Sequence, residues 1–382
     1  MLYFDHCAST PPYEEVVKTM MEVMKSQYAN PSSLHRAGTD ADKLIERSRA
    51  LLAERLQTTN GKWIFTSGGT ESNNLAIKGI ARQYAGRGKH LITTQIEHAS
   101  VYDTFAQLEQ EGFRVTYLPV SESGHIRIEQ LEEALTDQTI LVSVMHINNE
   151  IGSIQPIEQI GRLLKRYPKA MFHVDAVQSI GKLPICIEEW GIDLLSGSAH
   201  KLRGPKGVGF LYVRESITLY PLFTGGSQEY GNRAGTQNVP GIVASAKALR
   251  MSLDSLEQRE RRMRPLKQKL IQIISGIPEL RLNGADPSAA HIIHFSYPGM
   301  KPEVIIHMLE QHGIMASTKS ACSSKDDKPS RVLLAIGASH EQAAGGVRVS
   351  FGDEHEERDI DALGAALRHA VEQLKPLERR LT

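Results

Sequence analysis

The chain has 382 residues, 41% hydrophobic and 23% charged, and its 44 lysines and arginines balance 44 aspartates and glutamates. That balance lacks the basic excess of a dedicated nucleic-acid binder, and the length exceeds what one small core needs, so two packed regions are expected. The start MLYFDHCAST lacks a secretory pattern, and no stretch approaches the roughly 18–20 apolar residues of a membrane span. Cys7, Cys186 and Cys322 lie far apart and form neither a disulfide framework nor a CxxC pair. The expectation is a cytoplasmic protein with no membrane association and no direct nucleic-acid partner.

Strand-length apolar runs alternate with helix-period segments through the first two thirds. Strands are expected at 63–66, 90–94, 115–120, 140–145, 171–174, 194–197 and 208–213, with helices at 70–84, 101–111 and 157–167. Unbroken β-branched runs joined by helices imply an α/β fold with a mostly parallel, doubly wound sheet. Ligands of such sheets bind beyond the carboxyl ends of the strands.

The first of these strands runs into FTSGGTESNNLAIKG, where Gly68, Gly69 and Thr70 open a helix. Free N–H groups at a helix start form an anion site, although an ordinary capped helix is the plainer reading of this segment alone. The strand at 90–94 is followed by His98 in IEHASV, a potential acid, base or stacking partner. The strand at 171–174 ends in HVDAVQSIGK, with Asp175 and Gln178. A strand-end carboxylate suits a protonated pyridine nitrogen, and equally a helix cap. In DLLSGSAHKLRGPKGVGFLYVR, Ser198, His200 and Lys201 lie between a strand and a glycine-rich turn. A desolvated lysine there is freed for Schiff-base chemistry.

From Pro240 a long helical stretch is expected to about residue 274, including the charged run EQRERRMRPLKQKL, read as a solvated face. Strands at 280–283, 292–297 and 347–351 and helices at 302–312 and from about 356 suggest a smaller α+β domain. The expected division is a large domain over 14–256 and a small one from 1–13 and 257–382, with a loop at about 317–331. That loop, STKSACSSKDDKPS, places Cys322 among small and charged residues, unlike Cys186 in the apolar LPICI, which reads as a buried filler. Arg348, inside VRVSF, requires an anion if it points inward.

Taken in order, these segments resemble the cysteine desulfurases, pyridoxal-phosphate (PLP) enzymes of the aminotransferase-like fold (fold type I). The motifs FDHCASTPP, YANPSSLHRAG, TSGGTESNNLAIKG, INNEIG, HVDAVQSIGK, AHKLRGPKGVG, AGTQNV, SACSS and VRVSFG carry the likeness along nearly the whole chain. The resemblance implies that Lys201 bears the PLP, Asp175 pairs with its ring nitrogen and His98 stacks on the ring. Gln178 and Asn149 would meet the phenolic oxygen, and Gly69, Thr70, Ser198 and His200 the phosphate. Thr236 would complete a neighbouring subunit's phosphate site, implying a homodimer. Cys322 would be the nucleophile and persulfide carrier, and Arg348, with Asn149, would hold the substrate L-cysteine. Sulfur acceptors would be an iron–sulfur scaffold or a tRNA- or thiamin-thiolation protein. A selenocysteine lyase, another PLP lyase or aminotransferase, and a non-catalytic sulfur-transfer scaffold are the alternatives. Departures from the family pattern are Cys7, Ala199, Arg203, Lys319 and Asp353.

Overall fold

Each strand of the large sheet carries apolar side chains on both faces, so the sheet is covered on both sides. In the computed structural model, which describes residues 1–318 and 328–378, the chain runs β1 (Leu2–Tyr3), α1 (Glu14–Ser26), α2 (Arg36–Arg55), β2 (Gly61–Thr66), α3 (Gly69–Gln83), β3 (His90–Thr94), α4 (Ala99–Gln110), β4 (Arg114–Leu118), α5 (Ile128–Ala134), β5 (Thr139–Met145), α6 (Ile157–Leu164), β6 (Met171–Asp175), β7 (Leu194–Ser198) and β8 (Gly209–Arg214). It continues through α7 (Val239–Asp254), α8 (Leu256–Ser275), β9 (Arg281–Asn283), β10 (Ile292–Ser296), α9 (Pro302–Gln311), β11 (Ile314–Met315), α10 (Arg331–Ala335), α11 (His340–Ala344), β12 (Gly346–Ser350) and α12 (Glu357–Glu378).

Seven strands form one sheet in the order β2-β8-β7-β6-β5-β3-β4. Neighbours from β7 to β4 are parallel, and β8 runs antiparallel to both β7 and β2. The period-two alternation of a strand sends Trp63 and Phe65 to one face and Ile64 to the other. The first face meets α2, α6 and α7, with Ile45, Ile160 and Ile242 in its core. The second meets α3 and α4 through Ile77, Ile80 and Phe105. The layers are therefore helix, sheet, helix, and every parallel strand ends at the same rim.

Where one long helix was expected after Pro240, two stand. They meet at Ser255, whose hydroxyl donates to the carbonyl of Met251 at 3.0 Å, and Arg259 on the next turn donates back to Ser255 Oγ at 2.8 Å. Beyond them β12-β10-β9 form an antiparallel sheet whose core includes Leu270, Phe295, Val349 and Leu367. The chain's first residues belong to this smaller unit: β1 pairs in parallel with β11, Phe4 is fully buried in its core, and Asp5 bridges Ser350.

Residues 5–13 then cross as a strap to the large unit. Two of the departures meet at this crossing. Arg203 Nε lies 3.3 Å from Asp353 Oδ2, and its Nη2 pairs with Glu354. Asp353 also accepts from Arg259 Nε at 2.6 Å and from Tyr13 Oη at 3.1 Å. One carboxylate thus ties the loop after Lys201, helix α8 and the strap. Removing it leaves Arg203 with Glu354 and takes from Arg259 the carboxylate it pairs with, so Asp353→Ala should cost about 1–3 kcal/mol and lower the melting temperature by a few degrees. Thermal unfolding that matches the unsubstituted protein would remove Asp353 from this role.

Candidate active site

At the carboxyl-end rim a cavity of about 240 Å³ opens between the two units. Its wall includes Gly69, Thr70, His98, Asn149, Asp175, Gln178, Ser198, His200, Lys201 and Arg348. Ten residues scattered from position 69 to 348 are thereby brought to one space. Thr236 is exposed and outside that wall, and Cys322 lies outside the described residues.

Backbone geometry explains the floor. Gly68 occupies the N-cap of α3 and offers no side-chain hydrogen bond to its first N–H groups, which leaves the helix start open to an anion. A Cβ on Gly69 would approach Val177 Cγ2 to 2.7 Å, and one on Gly209 would come within 2.4 Å of the Gly68 backbone. Only glycines let this turn lie against β8 and the loop after β6. Thr70 does not cap the helix; Glu71 reaches back to the Ser67 N–H at 2.8 Å and pairs with Arg233 Nε at 2.8 Å.

Asp175, 5% exposed, ends β6. Its Oδ1 accepts the N–H of Val177 at 3.0 Å, the turn contact that a capping reading anticipates. Its Oδ2 accepts from Asn73 Nδ2 at 2.8 Å. Asn73 also donates to Ser100 Oγ at 2.9 Å, and Ser100 Oγ lies 2.8 Å from His98 Nδ1. Because the Ser100 oxygen accepts from Asn73, its hydrogen faces His98, and the Ser100 backbone N–H also points to Nδ1, at 3.1 Å. These bonds assign the neutral imidazole its proton on Nε2. Burial, reinforced by Lys201 and outweighing the opposing pull of Asp175, holds the His98 pKa below its ordinary value.

Lys201 follows β7 in a single 3-10 turn, Ala199–Lys201. Its Nζ donates to the carbonyls of Cys7 and Ala8, the latter at 2.7 Å. Burial first, then the charges of Arg348 and Lys182, bring its pKa down to about 7 against the partial opposition of Cys7 and Asp5. A neutral amine has two N–H bonds; with both on strap carbonyls its lone pair is free to attack. His200, lowered to about 3 by burial and by Lys201, lies 3.3 Å from Ser9 Oγ. Arg348 is fully buried, and among the described residues the anion it meets is Asp5, at 2.9 Å. It also donates to the Asn149 carbonyl at 2.8 Å, and its Nε has no hydrogen-bond partner among the described residues.

Several contributors escaped the sequence reading. Asn73 and Ser100 carry no spacing signal, although SNN on an apolar helix was a hint of a polar buried face. Cys7 and Ala8 act through carbonyls, which sequence does not display. Glu97, beside His98, is buried with one oxygen unpartnered among the described residues, and burial raises its pKa to about 8. Cys186 is half-buried rather than buried, because LPICI is a surface loop and not a strand; among the described residues the buried thiol is Cys7.

The sequence matches the family Aminotransferase class-V over residues 2–363. It is 41% identical over 380 residues to a cysteine desulfurase IscS of Clostridium botulinum, covering 98% of this chain and 96% of that one. The chain belongs to the cysteine desulfurase family of class-V aminotransferases. A cysteine desulfurase IscS of Methanosarcina thermophila is 42% identical, with 98% and 93% covered. A solved NifS-like protein superposes with a TM-score of 0.90 at 35% identity, covering 98% of this chain and 99% of that one.

The lowered pKa of Lys201 sets a pH window. An ordinary lysine is protonated to about pH 10.4, whereas Lys201 is mostly neutral once pH exceeds about 7. In cofactor-free protein, acylation of Lys201 by acetic anhydride should plateau above about pH 8 while surface lysines keep accelerating. Peptide mass spectrometry across pH reads this directly, and a Lys201 rate still rising beyond pH 9 would contradict it.

Proposed function

We propose that this protein is a PLP-dependent cysteine desulfurase that moves the sulfur of L-cysteine onto Cys322 and releases L-alanine. The observation that carries the reading is a desolvated lysine sharing one cavity with a buried strand-end carboxylate and an open helix N-terminus. The wall fits PLP: a carboxylate for a ring nitrogen, an uncapped helix start with Thr70, Ser198 and His200 for a phosphate, and an amine for an aldehyde. Lys201 would carry the cofactor, with Asp175, Gln178, Asn149 and His98 around its ring. When bound, PLP supplies an electron sink for the carbanion at the substrate's α-carbon.

The chain's own groups account for the rest. Arg348, through an Nε–H without a partner among the described residues, and Asn149 hold the substrate carboxylate. Lys201 Nζ, once the substrate's amino group has taken its place on the cofactor, would take the α-proton on its lone pair, since His98 Nδ1 is already engaged with Ser100. The Nε2–H of His98 is then the proton it has to give. Cys322 thiolate attacks the substrate sulfur; an S–S bond forms and the C–S bond breaks. In balance, cysteine and one enzyme thiol become alanine and one enzyme persulfide. The role of Cys322 rests on its place in the family motif SACSS.

The reading includes a homodimer in the cytoplasm. Thr236 is exposed on the loop that Arg233 ties to Glu71 at the start of α3, a position from which it could face a second copy. Persulfide sulfur would pass to an iron–sulfur scaffold or to a thiolation protein of tRNA or thiamin synthesis.

The test is alanine formation from L-cysteine with a reductant. The unsubstituted protein should turn over, and Cys322→Ser should lose at least about a hundredfold, because a serine hydroxyl stays protonated near neutral pH. Near-normal alanine from Cys322→Ser would overturn the desulfurase reading in favour of a lyase that expels sulfur or selenium without a protein nucleophile. A keto acid in place of alanine would point to an aminotransferase, and no turnover to a scaffold.

A further inference from the structure

Lys182 closes the motif that carries Asp175 and Gln178 and does no work in the mechanism above. Its Nζ donates to Gln178 Oε1 at 3.1 Å. Gln178 Nε2 donates in turn to the carbonyl of Cys7 at 3.0 Å, the oxygen that also accepts from Lys201. An amide group can lie either way round, but an ammonium has only donors. Lys182 therefore fixes the amide oxygen on its own side and the NH2 on the side of the strap and the cavity. One of those two N–H bonds is on Cys7; the other remains for an acceptor in the cavity that Gln178 lines.

The lysine also stands behind Lys201. Both border a small cavity of about 40 Å³, next to Arg203, Arg259 and Asp353. Facing Lys182 are Cys7 from the strap, Arg259 from α8, Asp353 after β12 and Arg348 within it. Burial is the main cause that brings the Lys182 pKa down to about 8, which still leaves it largely protonated at neutral pH. Facing Lys201 are Cys7 and Asp5 from the strap, Arg348 and Lys182 itself. Among the described residues that act most strongly on Lys201, Arg348 and Lys182 are cations and Asp5 is a carboxylate, and Lys182 is the cation that also orients a ligand-facing amide.

We propose that Lys182 is a positioning residue that holds the Gln178 amide N–H toward the cofactor and, as a fixed cation behind Lys201, keeps the lysine–cofactor linkage deprotonated at neutral pH. This inference rests on the cofactor reading above. Both effects have the same sign. Losing the cation favours the protonated linkage, and losing the donor raises the proton affinity of the oxygen it faces.

The measurement is a pH titration of the cofactor absorbance band in purified, resting holoprotein, with no substrate present. Lys182→Met should move the midpoint up by about one unit or more; Lys182→Gln, polar but uncharged, should follow it, and Lys182→Arg should stay near the unsubstituted value. A midpoint unmoved in both Lys182→Met and Lys182→Gln, whatever their melting temperatures, would overturn the proposal and leave Lys182 a structural residue. Unsubstituted protein without any such band would instead remove the cofactor reading itself, so the two failures are separable.

Discussion

The amine of Lys201 is held on two backbone carbonyls, those of Cys7 and Ala8, and much of the structure exists to make that contact possible. A buried ammonium is costly, and the site relieves the cost by letting the proton go. The carbonyls come from a strap that neither unit forms alone. Its beginning is pinned by β1 on β11 and by Phe4 in the small core. Its end is pinned by Thr10, whose hydroxyl donates to the His200 carbonyl at 2.6 Å. The lysine turn and the strap are thus one construction, and the Asp353 cluster closes it from behind. The paired departures Arg203 and Asp353 are consistent with each other for this reason: each supplies the other's counter-charge.

The same logic of directed hydrogen bonds runs through the opposite wall. Asn73 serves Asp175 and Ser100 together, so the carboxylate and the imidazole are oriented by one helix residue. The His98 loop is in turn gripped from the small unit by Arg331, which donates to the carbonyls of Gln95 and Glu97 and lies 3.7 Å over the ring of Tyr102. Ser330 donates to Glu150 in the INNEIG segment. The chain that follows the Cys322 segment is therefore anchored directly on the loops that carry His98 and Asn149.

Much of this was legible in the sequence. Continuous apolar runs separated by helix-period segments are the mark of a parallel sheet covered on both faces, and Asp175, His98 and Lys201 each sit just past such a run, where ligands of these sheets bind. What stayed hidden has a common physical character. Carbonyls of Cys7 and Ala8, the relay from Asn73 to Ser100, and the meeting of Arg203 with Asp353 are all long-range contacts between residues whose own local pattern is ordinary. The break at Ser255 was hidden for a different reason, because helical periodicity continues on both sides of it. LPICI misled by composition: four apolar residues around Cys186 suggest a core, yet the segment is a loop and its thiol is half-buried.

The central claim is that the strap-bound amine of Lys201 is where the chemistry is attached. Borohydride reduction of the purified holoprotein, followed by digestion and peptide mass spectrometry, addresses it most directly. The account predicts a pyridoxyl phosphate adduct on the single peptide that contains Lys201, and its disappearance in Lys201→Ala. An adduct on Lys182 or on any other lysine of the unsubstituted protein would contradict it.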